Sequence, residues 1–165
     1  MLHAQSPGQG KGGTQTAFGG TTRAVKDKPP VVYLVDDDVD YCEVNRTVLE
    51  SAGYRAVCFP GPKEALLEAE RNPPDLIITD MMMGSLDDGL RLSRSLRDHA
   101  SLCHIPVLLV TGLVRELGLD IVPRDSQDLE ALNASAFLEK PTSPSRLLQE
   151  VRRLLAEASD PAAPR

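Results

Sequence analysis

An α/β fold, with a doubly wound five-stranded parallel sheet and helices on both faces, is predicted by three observations on the 165-residue chain. Strand-length apolar runs alternate with helical stretches five times from residue 31 onward, which is the βαβ repeat. The runs are nearly unbroken in Val, Ile and Leu, as strands buried on both sides require. Ionisable or hydroxyl residues follow four of the runs, and open parallel sheets bind ligands at those strand ends.

The elements follow in order. Residues 1–30 are rich in Gly, Gln, Thr, Ser and Pro and close on Lys28-Pro29-Pro30, which predicts a disordered tail. Strands are expected at 31–35 (VVYLV), 54–59 (YRAVCF), 75–79 (DLIIT), 105–110 (IPVLLV) and 135–138 (SAFL) from length and β-branched or aromatic content. Val39, Cys42, Val48, Leu49 and Ala52 recur at helical spacing over 39–52, and Gly53 is a stop signal. Residues 61–71 form a second helix, with Pro62 in its first turn and Pro73-Pro74 beyond its end. Leu90, Leu92 and Leu96 mark a third over 88–98. Gly118 and Pro123 forbid a long regular helix after the fourth strand, so a loop or lid and then a short helix near 125–132 are expected. In the last helix Leu147, Leu148, Val151, Leu154 and Leu155 make one stripe, with Ser143 or Ser145 as cap. The folded unit is thus placed at 31–157, with a short tail over 158–165.

Net charge is −6, and four Lys or Arg against one Asp in residues 1–30 leave −9 on the remainder. No basic stripe suited to a phosphate backbone is present, which argues against direct nucleic-acid binding. No apolar run approaches a membrane span, and the N-terminus lacks a secretory apolar core. Cys42, Cys58 and Cys103 form an odd set without CxxC spacing, which predicts reduced, mostly buried thiols in a cytoplasmic protein. His99, Cys103 and His104 lack a fourth ligand at metal spacing and predict a solvated helix end.

The strand ends carry the chemistry. Asp36, Asp37 and Asp38 follow the first strand, Asp80 the third, Thr111 the fourth, and Lys140 with Pro141 the fifth. Adjacent carboxylates repel by about 4 kcal/mol per pair at ~4 Å and an effective dielectric near 20, so a cation is required beside them. Asp38 suits a helix N-cap. Asp36, Asp37 and Asp80 at one mouth offer hard oxygen ligands to Mg²⁺, which commonly takes one or two carboxylates and keeps waters. Lys140 and Thr111 across that mouth suit an anionic group.

These residues lie in "LVDDD", "LIITD", "LLVTG" and "FLEKP", and in that order the chain resembles a response-regulator receiver domain of two-component signalling, CheY-like and stand-alone. The resemblance implies a flavodoxin-like sheet in the order 2-1-3-4-5. It implies that Asp80 is the phosphoacceptor, that Asp36 and Asp37 hold Mg²⁺, and that the backbone carbonyl of Met82 is a further ligand. Thr111 and Phe137 would be the switch residues, with Lys140 pairing the phosphoryl group. A histidine kinase or histidine phosphotransfer protein would be the donor and a downstream protein the target, in the cytoplasm, with only self-phosphorylation and dephosphorylation catalysed.

Two stretches depart from the family pattern. In "DMMMGSLDDG" Gly84 stands where proline is usual, with one extra residue before Gly89, and Met82 is expected to limit attacking water and slow dephosphorylation. Met81 and Met83 are read as loop and core packing. The segment between Thr111 and Lys140 is longer than usual. Two other readings stay open. One is a phosphohydrolase like the haloacid dehalogenases, whose second aspartate is replaced here by Met82; the other is a module that signals without phosphate.

Overall fold

The computed structural model describes residues 28–85, 87–112 and 123–160. The tail residues 1–27 and 161–165, and residues 113–122, where a loop or lid is expected, lie outside that set. Strands β1 (Val31–Val35), β2 (Arg55–Phe59), β3 (Leu76–Asp80), β4 (Val107–Thr111) and β5 (Ala136–Glu139) form one sheet in the order β2-β1-β3-β4-β5. All four pairings are parallel. Helices α1 (Val39–Ser51), α2 (Pro62–Arg71), α3 (Asp88–Asp98), α4 (Ser126–Ala131) and α5 (Pro144–Ala158) make the crossovers.

Alternate strand residues feed two cores, because successive side chains leave a strand on opposite faces. On one face Val32, Leu34, Ile78, Leu108 and Val110 meet α1 through Cys42 and Leu49, and α5 through Leu147, Val151 and Leu154. On the other, Tyr33, Val35, Ile77 and Leu109 meet Ala65 and Ala69 of α2 and Leu92 and Leu96 of α3. The order reverses between β1 and β3, so the ends of these two strands form the crevice that such sheets use for ligands.

The local signals behave as their chemistry predicts. Asp38 caps α1, its carboxylate accepting from the Tyr41 amide at 3.0 Å. Gly53 follows that helix at φ +90°, a conformation costly for any residue with a Cβ. Gly61 precedes α2 with Pro62 in its first turn. Of the two serines considered for α5, Ser143 is the cap and accepts from the Arg146 amide at 3.3 Å. Buried Ser93 of α3 donates to the carbonyl of Asn133, which turns the chain into β5 at φ 52°.

The structure departs from the sequence reading in several places. β3 and β4 extend through Asp80 and Thr111, so both residues end their strands instead of following them. Pairing carries on there because the Met81 amide donates to the Val110 carbonyl and the Lys140 amide to the Thr111 carbonyl. At its start β4 loses Ile105 and Pro106, since proline has no N–H to give a ladder. On α1 the buried stripe is Cys42, Asn45 and Leu49, while Val39 is exposed. The thiols are also less buried than expected: Cys42 is buried, Cys58 half-buried and Cys103 exposed. Cys103 lies in the turn after α3, where its neighbours Leu102 and Ile105 take the inward positions.

Candidate active site at the strand ends

Lys140 follows β5 directly and is joined to Pro141 by a cis peptide. Its ammonium reaches across the carboxyl edge of the sheet. It donates to Asp36 Oδ2 at 2.6 Å and to Asp80 Oδ2 at 2.7 Å. Thus one cation lies between carboxylates from two separate strands, with Asp36 and Asp80 both buried. The remaining carboxylate oxygens are also held: Asp36 Oδ1 accepts from the Asp38 amide at 2.9 Å and Asp80 Oδ1 from the Met82 amide at 2.9 Å. These backbone donors fix both carboxylates in orientation, which lowers the cost of organising them for chemistry.

Burial raises the Asp36 carboxyl above its ordinary range, with the charge of Asp80 adding to the effect, against the opposing hydrogen bonds of Lys140 and the Asp38 amide. Burial also works against the Lys140 ammonium, but its hydrogen bonds and charge contacts with Asp36 and Asp80 outweigh that loss and hold its pKa above the lysine value. An acid raised on folding binds its proton more tightly in the native state. Ionised Asp36 therefore costs stability in full above its raised folded pKa, and the cost fades as pH falls from there to the ordinary carboxylate value. Asp36→Asn is expected to melt at a higher temperature than wild type at pH about 7 in a chelator, with the gap closing toward pH about 4. Thermal melts across that interval check it, and equal melting temperatures at neutral pH would contradict it.

Of the other residues singled out in the sequence, Thr111 is buried, and its hydroxyl has no hydrogen-bond partner among the described residues. A buried hydroxyl without a partner carries a desolvation cost, and it suits a ligand oxygen arriving at this strand end. Asp37 is exposed beside Asp36. Phe137 is half-buried and packs on the small cluster formed by Met81 and Met82. Met81 is wholly buried and Met83 packs against the second core, as packing residues, while Met82 lies almost buried beside Asp80.

Two residues to which the sequence reading gave no role shape the site. Gly89, in the first turn of α3, donates its amide to the Met81 carbonyl at 3.1 Å, and a Cβ there would fall 2.1 Å from the Asp80 carbonyl oxygen. Tyr41 places its ring under the ammonium of Lys140, 3.9 Å from nitrogen to ring centroid. The doublet Asp87-Asp88 followed by Gly89 hints at the first, since glycine in a helix is otherwise costly. Nothing local in the sequence signals the second, because the two residues are 99 positions apart.

Whether a divalent cation fits here is decided by the donor set. Among the described residues no three His, Cys, Asp or Glu side chains are gathered into a metal cage. Mg²⁺ seldom needs one, since one or two carboxylates and water satisfy it. Two buried, oriented carboxylates that already share a cation meet that requirement, so the residues fit the group.

Comparison with known proteins agrees with this arrangement. The family model for the response regulator receiver domain matches residues 32–152. The polar-differentiation response regulator DivK of Brucella anthropi is 28% identical over 130 residues, spanning 79% of this chain and 99% of DivK. The chemotaxis response regulator CheY4 of Vibrio cholerae is similar in structure with a TM-score of 0.65 and 26% identity, covering 77% of this chain and 99% of CheY4. The signal receiver domain of a signal transduction histidine kinase from Syntrophus aciditrophicus has a TM-score of 0.65 at 27% identity, covering 82% of this chain and 97% of that domain. With the sheet order, the crevice and the family match in agreement, the chain belongs to the response regulator receiver domains of two-component signalling.

Proposed function

We propose that Asp80 accepts a phosphoryl group from a histidine kinase or histidine phosphotransfer protein and that the modification switches contacts with a downstream protein, the working unit being residues 31–157. The observation that carries this reading is the sharing of one ammonium by buried Asp36 and Asp80. A carboxylate oxygen of Asp80 attacks phosphorus. The new O–P bond forms as the N–P bond of phosphohistidine breaks, and the imidazole nitrogen keeps the electron pair. Lys140 offsets charge on the transferring oxygens, and the Thr111 hydroxyl donates to one of them. Asp36, Asp37, Asp80 and the Met82 carbonyl would hold Mg²⁺, which when bound neutralises charge on both the carboxylates and the phosphoryl oxygens.

The switch would follow from what those contacts displace. Phe137 borders a groove of about 690 Å³ that also takes in Leu129 of α4 and Arg146 and Arg153 of α5. A pull on Thr111 and Lys140 reaches Phe137 through the short strand β5, so one local charge event biases a surface between two packings. The protein would be a signalling module acting on its own aspartyl phosphate, placed in the cytoplasm; among the described residues no helix is long and apolar enough to cross a membrane. Incubation with acetyl phosphate and Mg²⁺, followed by intact-mass measurement, tests the reading. One phosphoryl group on wild type and none on Asp80→Asn is the expected result. An equal adduct on both, or turnover of many equivalents of acetyl phosphate, would overturn it.

A further inference from the structure

The ring beneath Lys140 is held with more care than core packing requires. Both backbone polar groups of Tyr41 are taken by side chains: its amide donates to Asp38 Oδ1 at 3.0 Å and its carbonyl accepts from Asn45 Nδ2 at 2.7 Å. Asn45 is a buried polar residue on the inward stripe of α1, where a helix of this kind ordinarily places an apolar one. Its amide bonds back to Tyr41 one turn earlier. These two bonds hold the backbone of Tyr41, which fixes the point from which its ring projects toward Lys140. It faces an ammonium 3.9 Å away that is itself largely buried, where cation–π attraction is strongest.

Lys140 consequently has three partners at once, namely Asp36, Asp80 and the Tyr41 face. A divalent cation that takes up Asp36 and Asp80 meets the ammonium as a rival for the same two carboxylates. We infer that Tyr41 is a positioning residue that seats Lys140 between Asp36 and Asp80, so that the lysine competes with the divalent cation and sets how tightly the site holds it. This rests on the proposed cation dependence of Asp80. It assigns the degree of that dependence to a ring outside the acidic set.

The experiment titrates MgCl₂ alone into the full chain by calorimetry, for wild type, Tyr41→Phe, Tyr41→Leu and Tyr41→Met, with the Lys140 side-chain methylene protons followed by NMR. Phenylalanine keeps the aromatic face, whereas leucine and methionine remove it and fill the space in two different ways. Loss of the ring contact should tighten Mg²⁺ binding roughly 3- to 10-fold in Tyr41→Leu and Tyr41→Met. Tyr41→Phe should stay within about 2-fold of wild type. The upfield ring-current shift of the Lys140 methylenes should persist in wild type and Tyr41→Phe and vanish in the other two. A merely structural role would weaken Mg²⁺ binding together with the melting temperature, the opposite sign. Saturable wild-type binding with unchanged or weaker affinity in both ringless variants would overturn the inference alone. Absence of any saturable Mg²⁺ binding by wild type would overturn the cation-dependent reading of Asp80 and the inference with it.

Discussion

Lys140→Met should be less stable than wild type by about 3 kcal/mol in a chelator at neutral pH, and millimolar Mg²⁺ should restore most of the loss. The substitution keeps an unbranched chain of similar length and removes the charge alone. What remains is Asp36 and Asp80, both buried, with no cation between them. Two carboxylates about 5 Å apart repel by about 3 kcal/mol at an effective dielectric near 20, and the burial of both limits solvent screening. The Asp38 and Met82 amides still bond the outer oxygens but cannot supply a full charge. The native state can relieve itself by taking a proton, which the burial of Asp36 favours. The deficit should therefore shrink as pH falls. Urea melts of both proteins with and without Mg²⁺ read it directly. A variant as stable as wild type in chelator, or a deficit that Mg²⁺ leaves untouched, would mean that the ammonium does not occupy a cation's place.

Gly89→Ala is the second large effect. A methyl at residue 89 would lie 2.1 Å from the Asp80 carbonyl oxygen, 2.7 Å from the Met81 Cα and 2.9 Å from the Asp80 carbonyl carbon. All three are backbone atoms at the end of a central strand, so no flexible side chain can give way. Either α3 lifts off the sheet, breaking the Gly89–Met81 hydrogen bond, or the Asp80–Met81 peptide shifts. The expected cost is roughly 3 kcal/mol, at the upper end for overpacking, together with a severe loss of phosphoryl uptake because the carboxylate moves with its backbone. Gly84→Ala is the control: the nearest atom to its added Cβ is a carboxylate oxygen of Asp88 at 3.6 Å, an ordinary contact. Stability and phosphorylation of that variant should stay close to wild type. Parity of the two alanine variants would contradict the close approach of α3 to Asp80.

The legible part of the fold was the part governed by local rules. Apolar runs, Gly53 after α1, Pro62 in α2 and a serine before α5 are signals whose causes lie within a few residues of their effects. Boundaries went astray where a neighbouring strand decided them, as at Asp80 and Thr111, where ladder bonds from Met81 and Lys140 prolong the strands. The candidate site was legible as a set because strand ends converge in an open parallel sheet whatever the details. Its internal wiring was not. That Lys140 bonds Asp36 and Asp80 at once depends on side-chain reach across β1, β3 and β5. Asn45 reads as a flaw in an amphipathic stripe until its bond to Tyr41 is seen. Cys103, flanked by apolar residues in the sequence, faces outward because Leu102 and Ile105 take the core side of the turn.

Peptide mapping of the chain after treatment with acetyl phosphate and borohydride, which reduces an aspartyl phosphate to homoserine, tests the central claim most directly. The expected result is homoserine at residue 80 in Mg²⁺ and none in chelator. Homoserine elsewhere, or at residue 80 regardless of the cation, would contradict it.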